Sequence, residues 1–195
     1  EMYHPLLENC VANTIRIEGR SILFTGSNMS GKTTFIRTLG VNMLAAQTLH
    51  TAFARRMQMK APVMIHAALM LSDSLSDGKS FYLKEVEPIP DMLSSSRTEP
   101  INLLPPAQIF KGTNTTERIA AAKAVLSYLN TSNNIVIVST HDAELGTFLK
   151  NEYDLYHFCE TIANGILSFD YKLKPGNLYQ RNAIRILEIN DYPAT

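Results

Sequence analysis

The 195-residue sequence predicts an α/β fold, with a mostly parallel central sheet flanked by helices and antiparallel strands at its periphery. Three observations carry this. The run Asn134 to Thr140, NIVIVST, is continuously β-branched, as in strands buried on both faces of a parallel sheet. A shorter run, Ser21 to Thr25, leads through a glycine-containing loop into apolar residues at helical spacing from Lys32 to about His50. Between these two strands lies TTERIAAAKAVLSYLN, alanine-rich and apolar at helical spacing.

The elements follow in order. Thr14 to Ile17 and Ser21 to Thr25 read as two short strands joined by a turn at Gly19. After the first helix, MQMKAP and VMIHAALM are both strand-like, and the polar stretch SDSLSDGKS is a loop opening a helix near Ser80. Pro88 and Pro90 cut that helix short, because proline lacks the backbone donor and clashes with the preceding turn. INLL is a short strand ended by Pro105 and Pro106. Thr115 or Thr116 is placed to cap the alanine-rich helix. The strand Asn134 to Thr140 ends at His141 and Asp142, the carboxyl end at which α/β proteins collect their functional groups. Asn164-Gly165 between two alternating runs predicts a hairpin. A last helix is expected from about Tyr179 to Glu188.

Composition narrows the possibilities. With 45% hydrophobic and 18% charged residues the chain has the means to fold, and its length suits a single domain over residues 1–195, read as a fragment of a longer protein. Eighteen basic residues balance eighteen acidic ones, which argues against a grip on duplex DNA by this segment itself. Two cysteines are too few for a disulfide framework, and no run of membrane-spanning length or signal peptide is visible. A cytoplasmic location without a membrane partner is the expectation. His4, His50, His66 and His157 have no metal-ligand spacing and are assigned structural or surface roles.

Gly26 to Thr33, GSNMSGKT, satisfies the pattern GxxxxGK[ST] in full. Such a P-loop turns backbone N–H groups toward phosphates and adds the positive end of the following helix. Lys32 would reach the β- and γ-phosphates, and Thr33 would offer its hydroxyl to Mg²⁺. The candidate nucleotide-binding residues are therefore Gly26, Ser27, Asn28, Met29, Ser30, Gly31, Lys32, Thr33 and Thr34, with ATP and Mg²⁺ as cofactors.

The loop TGSNMSGKTT resembles the TGPNMxGKST loop of the MutS family of mismatch-repair ATPases. The similarity continues in order along nearly the whole chain. HPLLENCVAN resembles the family's HP motif and the segment that approaches the nucleotide base. SDSLSDGKSFYLKE resembles its signature segment, IFKGTNTTER the loop after its Walker B strand, and VSTHD its switch histidine. YKLKPG with RNAIRILEINDYP resembles its closing hairpin and helix. The resemblance implies a C-terminal ATPase domain of ABC type from a divergent MutS-like protein. It implies a homodimer formed through the ATPase face, with DNA contacted mainly by regions outside this chain. It also implies that Ser80 contacts the γ-phosphate held by a partner subunit and that His141 senses the γ-phosphate. A helix cap at Ser80 and a structural histidine at 141 are the plain alternatives.

One stretch departs from the pattern. Where the family expects a hydrophobic strand ending in Asp-Glu before IFKGTNT, this chain has Ala107 and Gln108, preceded by two prolines. Alanine cannot hold a metal-bound water, and Gln108 can orient water but cannot take its proton. Glu85, Glu99, Glu117 and Asp142 are the acids that could substitute. Two functions follow, an ATPase coupling Mg·ATP to dimer closure, or a hydrolysis-deficient, nucleotide-gated dimerisation module. Another ABC-type ATPase, from a transporter or a chromosome-maintenance protein, is disfavoured because no LSGGQ-like signature is present.

Overall fold

The structure is a computed structural model and describes residues 1–27, 29–59, 64–65, 87, 90, 94, 102–104, 114–130, 134–163 and 166–178. Its strands are β1 (Ser21–Thr25), β2 (Met64–Ile65), β3 (Asn102–Leu104), β4 (Ile135–Thr140), β5 (Tyr153–His157), β6 (Glu160–Ala163), β7 (Ile166–Phe169) and β8 (Lys174–Pro175). Among the described residues the continuous helices are α1 (Lys32–Thr48), α2 (Thr115–Leu129) and α3 (Ala143–Leu149); Pro90 and Ser94 are helical as well, contrary to the expectation that the chain leaves helix at the prolines.

The main sheet runs β2-β3-β4-β1-β5-β8. All neighbours in it are parallel except β5 and β8, and β6 pairs with β7 as a separate antiparallel ribbon. The expected parallel sheet with peripheral antiparallel strands is thus present. The two-residue side-chain period divides the core between the sheet's faces. Ile22, Phe24 and Ile137 pack with Phe35, Ile36, Leu39 and Met43 of α1. Leu23, Val136 and Val138 pack on the other face with Leu126 and Leu129 of α2 and Leu145 and Leu149 of α3. Leu126 is fully buried, and truncating such a side chain to alanine costs about 2–5 kcal/mol. This packing fixes the carboxyl ends of β1 and β4 beside each other, with Thr25 in register with Thr140.

Several sequence expectations are corrected. Thr14 to Ile17 form no strand, because both edges of β1 are already occupied by β4 and β5 and no ladder remains for a hairpin partner. The turn at Gly19 survives, with φ +80°. Met57 to Met59, the start of MQMKAP, are irregular, while Met64–Ile65 of the following run form β2. The cap of α2 is Asn114 rather than either threonine, its side chain accepting from the Glu117 N–H at 2.9 Å. The hairpin signal at Asn164-Gly165 agrees with the β6–β7 register, in which Ala163 pairs with Ile166, although the turn lies outside the described residues. So do the loop and helix around Ser80, the stretch Pro105 to Gln108 and the final helix from about Tyr179. Among the described residues no helix is long and apolar enough to cross a membrane.

Candidate functional site

The site begins where β1 ends. Gly26 has φ +147°, and a Cβ there would lie 2.5 Å from the backbone oxygen of Phe158, so only glycine fits. Gly31, with φ +104°, is the N-cap of α1. Between them Met29 also takes a left-handed conformation, φ +64°, which costs a side-chain-bearing residue of order 1–3 kcal/mol. Short bonds hold this strained turn. Ser30 Oγ donates to Ser27 O at 2.8 Å. Lys32 Nζ donates to Gly26 O at 2.7 Å and Ser27 O at 2.5 Å. The His141 ring lies 2.8 Å from Gly26 O, and since a carbonyl only accepts, Nδ1 carries the proton.

Lys32 is 5% exposed. Burial pushes its ammonium down from the ordinary 10.5 to about 8, and the negative charge of Glu160 opposes the fall. Glu160, at the start of β6, is itself buried and accepts from Ser27 Oγ at 2.6 Å. A glycine N-cap offers no side-chain acceptor to the first turn of α1, and that turn contains no acidic residue. Its N–H groups and the helix dipole therefore favour an anion at this end.

Asp142 follows His141 at the end of β4. It occupies the N-cap position of α3 yet makes no side-chain cap bond. Its carboxylate instead takes both arms of Arg118, at 2.7 and 2.9 Å. Glu117 is exposed in the first turn of α2, and Glu85 and Glu99 lie outside the described residues. A cleft of about 650 Å³ opens over the loop, lined by residues 29–35, Ser139, His141, Phe158, Tyr171 and the N-terminal segment Leu6 to Val11. That volume is in the range of small-molecule and cofactor sites.

The structure therefore brings together Gly26, Ser27, Met29, Ser30, Gly31, Lys32, Thr33, Thr34 and His141, with Thr33 and Thr34 exposed. Asn28, Ser80 and Gln108 lie outside the described residues. His4 Nδ1 accepts from the Leu6 N–H at 3.3 Å, and the His157 ring meets Gly176 O at 3.0 Å, both local contacts. Sequence reasoning missed two residues. Glu160 is a carboxylate at the head of a hairpin strand, and its 133-residue separation from Ser27 has no local signature. Tyr171, held at φ +52° with its carbonyl accepting from Asn13, packs near Gly31 at the exit of the same hairpin. An acid and an aromatic bracketing an otherwise ordinary hairpin were the available signal.

Fold and site together define a mixed α/β domain whose glycine loop joins the central strand to the start of the first helix. The family model described as MutS domain V matches residues 22–195, and the chain belongs to that family. It is 26% identical over 209 residues to MutS protein homolog 4 of Mus musculus, covering 99% of this chain and 22% of that protein. It is 25% identical over 193 residues to the DNA mismatch repair protein MutS of Thermus thermophilus, covering 97% and 24% respectively. Against the DNA mismatch repair protein MutS of Staphylococcus aureus the identity is 27% over 210 residues, covering 99% and 23%. The chain spans about a fifth to a quarter of the length of these relatives.

Proposed function

We propose that this domain binds Mg·ATP in the loop between β1 and α1, and that occupancy controls its pairing with a second copy and the handling of DNA by other parts of the protein. One observation supports this best: a lysine buried against the carbonyls of a strained loop, at a helix N-terminus without a side-chain cap. The donor set fits the ligand. The backbone N–H groups and Lys32 are cationic or partly positive, the cleft has adequate volume, and glycine at 26 and 31 lets the loop pass close against the Phe158 carbonyl and the Tyr171 ring.

In this reading the N–H groups of the loop and first turn of α1 bind phosphate oxygens, and Lys32 turns from Gly26 O and Ser27 O toward them. Thr33 would hold Mg²⁺, which would neutralise phosphate charge. His141, with Nδ1–H fixed on Gly26 O, distinguishes a γ-phosphate through Nε2 only as the doubly protonated ring, in which Nε2 also carries a proton to donate. Ser80 acts on the nucleotide of the second copy.

Hydrolysis is slow. The acid positions after β3 are Ala107 and Gln108, and among the described acids Asp142 is committed to Arg118. Loss of a general base typically costs about a hundredfold to ten-thousandfold in rate. This observation favours the second reading, a nucleotide-gated dimerisation module, over a fast ATPase. Steady-state turnover measured beside equilibrium ATP binding separates the two. Turnover that vanishes in Lys32→Ala marks an ATPase, and tight binding without turnover marks the module. Ser80→Ala is expected to weaken ATP-dependent pairing and leave nucleotide binding by the single chain unchanged; parallel loss of both would contradict the role in trans.

A further inference from the structure

We propose that Glu160 is a positioning residue for the phosphate loop, acting through its bond to the Ser27 hydroxyl to keep the loop in its nucleotide-receiving shape. The inference rests on the ATP-binding reading above and adds a residue that no sequence motif marks.

The loop's left-handed turns, at Gly26, Met29 and Gly31, need support from outside the loop. Ser27 carries much of it. Its carbonyl accepts from Lys32 and Ser30, and its hydroxyl donates to Glu160 Oε2 at 2.6 Å. When Lys32 turns to phosphate, its bond to Ser27 O is given up. The bond from Ser27 Oγ to Glu160 uses no group that phosphate needs, so it persists and holds Ser27 through the change. Glu160 is suited to this because it is 8% exposed and sits at a fixed place, paired through β6 with Phe169 of β7. The chain leading to it is anchored as well, since the Phe158 N–H donates to Thr25 O at 3.1 Å and the Phe158 carbonyl abuts Gly26. The loop pattern that this chain resembles has proline where Ser27 stands, and proline has no hydroxyl to donate. Ser27 thus supplies the donor that the Glu160 carboxylate accepts.

The test is a double-mutant cycle on the full-length protein, reading Mg·ATP and Mg·ADP affinity by calorimetry. Glu160→Ala and Ser27→Ala are each expected to weaken both nucleotides by the same factor, about tenfold to a hundredfold, the range for a charge-assisted hydrogen bond. Together they should lose no more than the worse single variant. Glu160→Gln keeps an acceptor oxygen of the same shape and is expected to restore most of the affinity. Additive losses, or a glutamine variant as weak as the alanine one, would overturn the proposal. So would variants whose unfolding temperature drops while the folded fraction binds with unaltered constants, since that marks a purely structural carboxylate. Tighter binding of ATP but not ADP in Glu160→Gln would also overturn it, in favour of charge repulsion of the γ-phosphate. If the unaltered protein binds neither nucleotide, the ATP-binding reading falls first and this inference with it.

Discussion

The two neighbours of β1 treat the phosphate loop differently. From the β4 side come an imidazole bonded to Gly26 O and an aspartate locked onto Arg118, and β3, the next strand out, is followed by Ala107 and Gln108. From the β5 side come the Phe158 carbonyl against Gly26 and the buried carboxylate of Glu160 on Ser27. Both sides hold the loop, and among the described residues Glu160 is the acid bonded to the Ser27 hydroxyl. In the proposed reading, features that bind a triphosphate and those that cleave one have separated. Binding can be complete where cleavage is not.

Four experiments break or sharpen that contrast, in order of expected effect. If Ala107 and Gln108 do stand at the missing acid positions, Ala107→Asp with Gln108→Glu should raise steady-state turnover by about a hundredfold to ten-thousandfold. No increase would mean that the β3 side was misassigned. Next, Lys32→Ala should weaken Mg·ATP binding by at least about a hundredfold, since it removes a charged donor from the phosphates. Calorimetry reads this directly, and retained affinity would place the ligand elsewhere.

The third is a pH profile. Free Lys32 titrates at about 8, against 10.5 in an unfolded chain. Below about pH 8 the lysine is charged in both states and the slope is zero. Between about 8 and 10.5 the unfolded chain binds more protons, so stability of the ligand-free protein should rise with pH, by at most about 3 kcal/mol from this residue. ATP affinity should move the other way, falling by up to about tenfold per pH unit above 8 because binding must then take up a proton. Urea unfolding and calorimetry across that window, each compared with Lys32→Met, isolate the lysine; parallel curves for the two proteins would contradict both trends.

The smallest effect belongs to His141. His141→Ala should narrow the preference for ATP over ADP by about threefold to tenfold, with ADP binding little changed. An equal loss for both nucleotides would make the histidine a strut for Gly26 and nothing more.

Much of this contrast was legible in the sequence where the determinants are local. The GSNMSGKT spacing, the β-branched run ending at His141 and the alanine-rich helix each specify a strand, loop or helix by their own periodicity. What escaped was decided by partners far along the chain. β5, YDLYH, has no clean alternation because Asp154 at its second position is paired with Arg20, and its identity as a central strand comes from lying against β1. Thr14 to Ile17 look like a strand, but both edges of β1, their expected hairpin partner, are taken by β4 and β5. Asn114 takes the cap because its oxygen reaches the Glu117 N–H, a choice among three adjacent polar residues that composition does not make. Glu160 meets Ser27 only because the β5–β6 connection returns to the loop.

The central claim is that this loop holds a nucleotide that the chain scarcely cleaves. Incubating the full-length protein with radiolabelled ATP and Mg²⁺, separating bound from free by rapid filtration and identifying the retained nucleotide tests both halves at once. One intact ATP retained per chain, and none in Lys32→Ala, is the expected result. Folded protein that retains no nucleotide, or that returns it as ADP within seconds, would contradict it.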